Sequence, residues 1–332
     1  MLVSFGGPEG PEEVLPFLRR VTAGRGVPDE RLAVVGEHYF AFGGKSPIND
    51  ANRRLLADLR AELDRRGDHT PLLWGNRNAA PFLDQTFREA AARDVDEVRV
   101  VLTSAWRSYS SCRQYREDLA AAQTAAGTSL AVSKVAQLAD HASYAAAWAA
   151  VLDEAVAPLL DAGWRPYLLF VTHSIPEAMD AASGDPLLGG HSYAQAQQAL
   201  AAQLTAGLVA AHDVELDGEL VYCSRSGPPS QPWLEPDVND RIEELAGAGI
   251  TDVALVPIGF ISDHMEVVYD LDVEAAATCE RLGLSMVRVP TVGTHPLFVA
   301  GLADLLAGPP STCPPACCAN LRGPKPALCG SD

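Results

Sequence analysis

Two short segments carry side chains suited to acid–base or metal chemistry. Thr172-His-Ser-Ile-Pro176 places a histidine directly after the apolar run Pro166–Val171, with a proline soon after to fix the turn. Ser262-Asp-His-Met-Glu266 follows a second apolar run, Val253–Ile258, and leads into Val267-Val-Tyr-Asp-Leu-Asp-Val-Glu274. Glu266, Asp270 and Glu274 stand four residues apart, so on a helix they share one face, stacked turn on turn, while Asp272 points elsewhere. Each segment also admits a plainer reading. The histidine can satisfy a local hydrogen bond, and acids near a helix start are favoured by the helix dipole. Together, a histidine and a carboxylate suit a first-row divalent ion of borderline hardness such as iron(II), and two protein ligands leave coordination positions open for a substrate. An imidazole titrating at about 6.5 also equips His173 to accept a proton. The acidic row can attract a hydrated metal ion or carry protons away.

A second group lies near the end of the chain. Cys313, Cys317, Cys318 and Cys329 form the pattern C-x3-C-C-x10-C in a stretch rich in Pro and Gly. In a reducing compartment, such density points to metal ligation rather than disulfides, and both zinc and an iron–sulfur cluster take four thiolates. Cys112, Cys223 and Cys279 fall in core-like segments and read as buried thiols. Other motifs fail on inspection. Gly43-Gly-Lys-Ser46 is no phosphate-binding loop, because Tyr39 stands where that motif needs a glycine. No dinucleotide fingerprint follows a strand, and there is no Gly-x-Ser-x-Gly elbow. The Gly- and Pro-rich loop from Ser224 to Pro236 reads as a rigid turn with a packed Trp233.

The elements that must position these residues alternate regularly. Strand-like runs at Leu2–Phe5, Pro71–Gly75, Val98–Thr103 and Ala131–Val135 are followed by a second set at Pro166–Thr172, Glu219–Cys223, Val253–Ile258 and Ser285–Val289. Helical stretches fall between them at Asn49–Arg66, Ala80–Arg93, Ser111–Ala126, Ala142–Ala162, Ser192–His212, Pro236–Gly247 and His264–Leu282. Strand, long helix, strand predicts α/β architecture with parallel sheets and crossover helices, here as two doubly wound lobes. Ligands of such sheets bind at the carboxyl ends of the strands, where His173 and Glu266 fall. The 332 residues suit two domains, and 48% hydrophobic with 20% charged residues is an ordinary globular composition. A net charge of −18 argues against nucleic acid or anionic membrane as general partners. Apolar runs are strand-sized, too short to span a bilayer, and Met1–Phe5 shows no basic leader, which predicts a cytoplasmic protein. The tail from Gly308 has no periodicity and needs something besides a core to order it.

Over nearly its whole length the sequence resembles the ferrochelatases. The matching pieces are 2–8 (Leu-Val-Ser-Phe-Gly-Gly-Pro), 43–47 (Gly-Gly-Lys-Ser-Pro), 173–176 (His-Ser-Ile-Pro), 224–228 (Ser-Arg-Ser-Gly-Pro), 232–236 (Pro-Trp-Leu-Glu-Pro) and 257–266 (Pro-Ile-Gly-Phe-Ile-Ser-Asp-His-Met-Glu). It is most similar to those of high-GC Gram-positive bacteria, which implies coproporphyrin III as the preferred substrate, with protoporphyrin IX second, and a C-terminal [2Fe-2S] cluster. The resemblance implies two Rossmann-like lobes, 1–140 and 141–294, around a porphyrin cleft, with a last helix at about 295–307 returning to the first lobe and a Cys-rich tail at 308–332. It implies that His173 and Glu266 face each other across the macrocycle and handle ferrous iron. Asp270 and Glu274 would line a partly π-helical segment as a proton or metal relay. Ser46, Tyr115 and Arg25 match positions that bind the porphyrin propionates. It implies heme biosynthesis as the setting, with room for transient contact with other enzymes of that pathway. Two departures stand out. Phe5 replaces a tyrosine of some members, removing a phenol that can approach the metal. No cysteine stands near Ser183, where some relatives take a cluster ligand, so Cys313, Cys317, Cys318 and Cys329 are expected to supply all four. The rival readings are a cobalt or nickel tetrapyrrole chelatase and a non-catalytic heme or porphyrin carrier with a redox-sensing tail, which would leave the acidic row without a task.

Overall fold

The computed structural model describes residues 1–332 except 94, 185–189, 228–229, 312, 315–316 and 329–332. Eight strands form two all-parallel sheets. The first, in the order β2-β1-β3-β4, is built from β1 (Leu2–Ser4), β2 (Trp74–Asn76), β3 (Glu97–Leu102) and β4 (Ala131–Lys134). The second, in the order β6-β5-β7-β8, comprises β5 (Tyr167–His173), β6 (Gly218–Cys223), β7 (Asp252–Val256) and β8 (Ser285–Arg288). Their apolar runs are buried because helices cover both faces, as parallel sheets require. Leu168, Leu169, Phe170 and Val171 are wholly buried.

The helices in chain order are α1 (Pro11–Val21), α2 (Asp29–Phe40), α3 (Ile48–Arg65), α4 (Leu83–Ala92), α5 (Gln114–Ala126), α6 (Ala142–Asp161), α7 (Glu177–Ala181), α8 (Tyr193–His212), α9 (Val238–Gly247), α10 (Met265–Val267), α11 (Ala276–Leu282) and α12 (Pro296–Ala307). π-Helical segments at Tyr109–Arg113 and Val268–Ala275 lead into α5 and α11. The sequence foretold every strand and seven of the helical stretches, and the resemblance the last helix, but not α1, α2 or the short α7.

One hydrophobic core runs through both halves. Leu2, Leu55 and Val101 of the first half share it with Leu168, Phe170 and Val256 of the second, with Tyr144 and Trp148 of α6 between them. Trp106 Nε1 and Tyr144 Oη both donate to the Ile258 carbonyl, at 3.1 Å each, so the loops after β3 and β7 are tied together. The apolar helix α12 packs against α3 and α6. Its carbonyl end is satisfied by Arg99, whose guanidinium donates to the carbonyls of Leu306 (2.6 Å) and Gly308 (2.8 Å). Beyond it the chain bridges the edge strand β4, where Val135 pairs antiparallel with Pro310 and the Ser311 amide donates to Lys134 at 2.6 Å. No helix among the described residues is long and apolar enough to cross a membrane.

Candidate functional site

The site forms at the carboxyl ends of β5, β6 and β7. His173 is the last residue of β5 and pairs in register with Cys223, the last of β6. Gly259, just past β7, lets this corner close. A Cβ there would lie 2.1 Å from Thr172 Oγ1 and 2.7 Å from Thr172 Cα. With glycine, its amide donates to the Val171 carbonyl at 3.1 Å, and the chain passes beside β5 towards Glu266. Tyr193 steadies β5 from α8, its hydroxyl donating to the His173 carbonyl at 3.1 Å and lying 2.6 Å from Thr172 Oγ1.

Its surroundings select one tautomer of His173. Nδ1 lies within hydrogen-bonding distance of the Ser174 carbonyl, which can only accept, so Nδ1 carries a hydrogen, and in the neutral imidazole Nε2 presents a lone pair. That Nε2 is 3.8 Å from Glu266 Oε2, and His264 Nδ1 is 3.9 Å from the same oxygen. Burial holds the His264 pKa below the usual histidine range, assisted by the charge of His173 and opposed by Glu266 and Asp263.

Asp270 lies in the π-helical segment after Glu266 and accepts a hydrogen bond from Ser224 Oγ. Burial pushes its pKa up to about 6; the Ser224 bond and His173 oppose the rise, and Glu266 and Glu274 add to it. Ser224 closes β6 in the left-handed backbone region, with φ of 60°. Glu274 is exposed farther along the segment, within electrostatic reach of Asp270. The structure thus brings His173, Glu266 and Asp270 together, with Glu274 at the outer end of the row.

Across from the acids, a cavity of about 60 Å³ lies between the carboxylates and α1 and α2. Phe5, Phe17, Val35 and Tyr39 line it opposite Glu266 and Asp270. His38 of α2 stacks on Tyr269 with ring centroids 3.7 Å apart and planes 7° from parallel, bridging the mouth. Pockets that engulf organic ligands typically measure at least about 300 Å³, so a large ligand enters only when these walls part. None of Ser46, Tyr115 and Arg25 lines this cavity. Ser46 is buried against Gly7, where an added Cβ would stand 2.5 Å from Ser46 Cβ. Tyr115 is buried beneath the Arg77 guanidinium, 4.3 Å from its ring centroid, and burial raises its pKa. Arg25 is on the surface between α1 and α2.

Sequence reasoning missed the apolar wall from α1 and α2, the His38–Tyr269 stack and the support from Ser224. A proline at the start of α1, acids in its first turn and arginines in its last were the available signal for that helix.

In the tail, Cys313, Cys317 and Cys318 are buried together. The sulfurs of Cys317 and Cys318 are 3.7 Å apart, and Ser311 Oγ is 3.2 Å from Cys313 Sγ. The hydrogen bond with Cys313 lowers the Cys317 pKa, but Cys318, burial and Cys112 outweigh it and push it up to about 12. Cys112, read from sequence as a buried thiol, is buried, and it lies within electrostatic reach of Cys317. Cys329 lies outside the described residues. Among the described residues, no three His, Cys, Asp or Glu side chains stand in metal-binding arrangement. The donor chemistry still fits a thiolate-ligated cluster: three buried soft ligands are grouped, with the cations Lys134 and Arg107 within electrostatic reach.

Paired parallel sheets, with a histidine and acids gathered at the strand ends beside an apolar cleft, define a two-lobed α/β chelatase. A sequence model of the ferrochelatase family matches residues 1–308. The coproporphyrin III ferrochelatase of Frankia alni is 50% identical over 313 residues, covering 92% of this chain and 78% of that protein. Proteins of the same name from Leifsonia xyli subsp. xyli (46% identical; 99% and 93% covered) and Tropheryma whipplei strain Twist (45%; 99% and 91%) align over almost their whole length. The chain belongs to the ferrochelatase family.

Proposed function

We propose that this protein inserts ferrous iron into coproporphyrin III in heme biosynthesis, with His173 as the proton acceptor and Glu266 as its partner. The observation that carries the reading is the His173 tautomer: a lone pair on Nε2, held by the Ser174 carbonyl, facing Glu266 at the cleft. A free-base porphyrin must lose two pyrrole protons as the metal enters. Nε2 receives one, and the carbonyl bond at Nδ1 steadies the imidazolium that results. Glu266 lies close enough to stabilise that charge or to meet the incoming iron. Asp270, whose pKa burial lifts to about 6, passes protons outward to exposed Glu274. Binding a puckered macrocycle lowers the barrier because that shape is nearer the transition state than the flat ring. Coproporphyrin is favoured as the substrate because each of the relatives named above is called a coproporphyrin III ferrochelatase.

Cys313, Cys317 and Cys318 would hold a [2Fe-2S] cluster, with Cys329 as the fourth ligand expected from sequence and Cys112 as the alternative that its influence on Cys317 favours. Such a cluster supplies one-electron redox chemistry, whereas iron insertion is redox-neutral, so its work here is to order the tail.

The test is anaerobic iron(II) insertion by purified protein on coproporphyrin III and protoporphyrin IX in parallel, followed by loss of free-base fluorescence. Faster turnover of coproporphyrin is expected, and His173→Ala should bind porphyrin with almost no turnover. Activity close to wild type in that variant rules out the assigned proton acceptor. Tight binding without turnover by the wild type would make the protein a carrier.

A further inference from the structure

The tail brings a cation to the rim of the cleft. Phe5 lines the cavity, and the Arg77 guanidinium lies 5.5 Å from its ring centroid and 4.3 Å from that of Tyr115. Arg25, from the loop between α1 and α2, stands near enough to Arg77 and to Arg322 of the tail to feel the charge of both. Arg322 also acts on the Tyr109 phenol of the π-helical segment below. Three guanidinium groups from three distant parts of the sequence therefore gather beside one wall of the cleft.

The tail is fixed there by contacts of its own. Asn320 Nδ2 donates to both Glu117 oxygens at 3.2 Å, and Asn320 Oδ1 accepts the Arg322 amide at 3.0 Å. Arg113 donates to the Lys325 carbonyl at 3.2 Å, and the Leu328 amide to the Arg116 carbonyl at 3.1 Å. The nearby acids are already engaged: Asp118 pairs with Arg77, and Glu117 takes Asn320, the Tyr109 hydroxyl at 3.1 Å and Arg113 at 3.5 Å. Among the described residues, neither Arg25 nor Arg322 has a carboxylate within ion-pair distance. Two arginines without a carboxylate partner, close enough to repel each other, make a positive spot on a chain of net charge −18, and such a spot suits an anionic ligand. The planar fork of a guanidinium matches a carboxylate through two parallel hydrogen bonds.

We propose that Arg322 completes, with Arg25 and Arg77, a carboxylate site at the cleft rim, and that this site favours porphyrins with more carboxylates on their edge. This rests on the porphyrin reading above. Arg322 lies beyond residues 1–308, so the family match does not account for it. Coproporphyrin III carries four propionates and protoporphyrin IX two, so the extra pair is what a third rim cation can select. The tail then has a direct part in substrate choice.

Equilibrium binding to metal-free coproporphyrin III and protoporphyrin IX, read by fluorescence with the full chain, tests this. Arg322→Gln should weaken coproporphyrin binding roughly tenfold, the scale of one charge-assisted hydrogen bond, and protoporphyrin binding less than about twofold. Arg322→Lys should recover part of the loss. Unchanged circular dichroism and thermal midpoint in both variants would separate the effect from a displaced tail. Equal weakening for both porphyrins, or no weakening of coproporphyrin, overturns the proposal. Wild-type protein that binds neither porphyrin overturns it together with the porphyrin reading. Wild-type protein that binds coproporphyrin without inserting iron, and loses that binding on Arg322→Gln, refutes the chelatase reading and leaves the rim site standing.

Discussion

Asp270→Asn separates the demands of the site from those of the fold. Burial raises this carboxyl from 3.8 to about 6, so the folded protein holds the proton more tightly than the unfolded chain does. At about 1.4 kcal/mol per tenfold change in proton affinity, the difference amounts to roughly 3 kcal/mol, and partial exposure reduces it to about 2 kcal/mol. The sign follows from linkage. Between pH 3.8 and about 6 the folded state binds more protons, so stability falls as pH rises through this window, and the whole cost is present above it. Asparagine keeps the shape of the side chain and an acceptor for the Ser224 hydroxyl but cannot ionise. The variant should therefore unfold a few degrees above wild type at pH 7.5. That advantage should shrink through the window and vanish at its lower end. Iron insertion should meanwhile drop by at least about tenfold as the relay loses its carboxyl. Thermal unfolding followed by circular dichroism from pH 4 to 8 is the assay. An offset that stays constant with pH, or a variant less stable than wild type at pH 7.5, would refute the argument that burial of this charge opposes folding.

Gly259→Ala should destabilise the protein by about 2–3 kcal/mol or prevent folding, because the new methyl meets Thr172 Cα as well as its hydroxyl; soluble yield and thermal midpoint report it. Tyr269→Ala removes the stack that bridges the cleft mouth and should speed porphyrin association several-fold in stopped-flow fluorescence, since the walls part more easily. For the tail, Ser replacement of Cys313, Cys317 or Cys318 should abolish cluster absorbance, while the same change at Cys112 and Cys329 identifies the fourth ligand by whichever removes it.

Much of this architecture was legible because burial leaves a strong periodic trace. The central strands β5 and β7 are short apolar runs closed by turn residues, and parallel sheets covered on both faces demand that pattern there. His173 and Glu266 were legible for a related reason: both follow such runs, where this class of fold places its chemistry. α1 and α2 left weaker traces. Pro16 interrupts the pattern of α1, and α2 buries Leu32 and Tyr39 while exposing Val34 and Phe40, so no clean apolar stripe marks it. Contacts between distant segments left no local trace. Nothing around His38 announces Tyr269, and nothing around Cys112 announces the tail, because each pairing is created by the fold.

The placement of α12 bears on how the chain comes into being. This helix, near the end of the sequence, covers α3 near the beginning, and Arg66 at the end of α3 holds Asp304 at 2.6 Å and the Ala300 carbonyl at 3.1 Å. During synthesis α3 therefore waits with this flank bare until α12 has been made, and α12 follows β8, the last strand of the second sheet. Long-range closure of this kind is slow and leaves apolar surface open in the interval. The nascent first half therefore carries an open apolar flank for as long as α12 is missing.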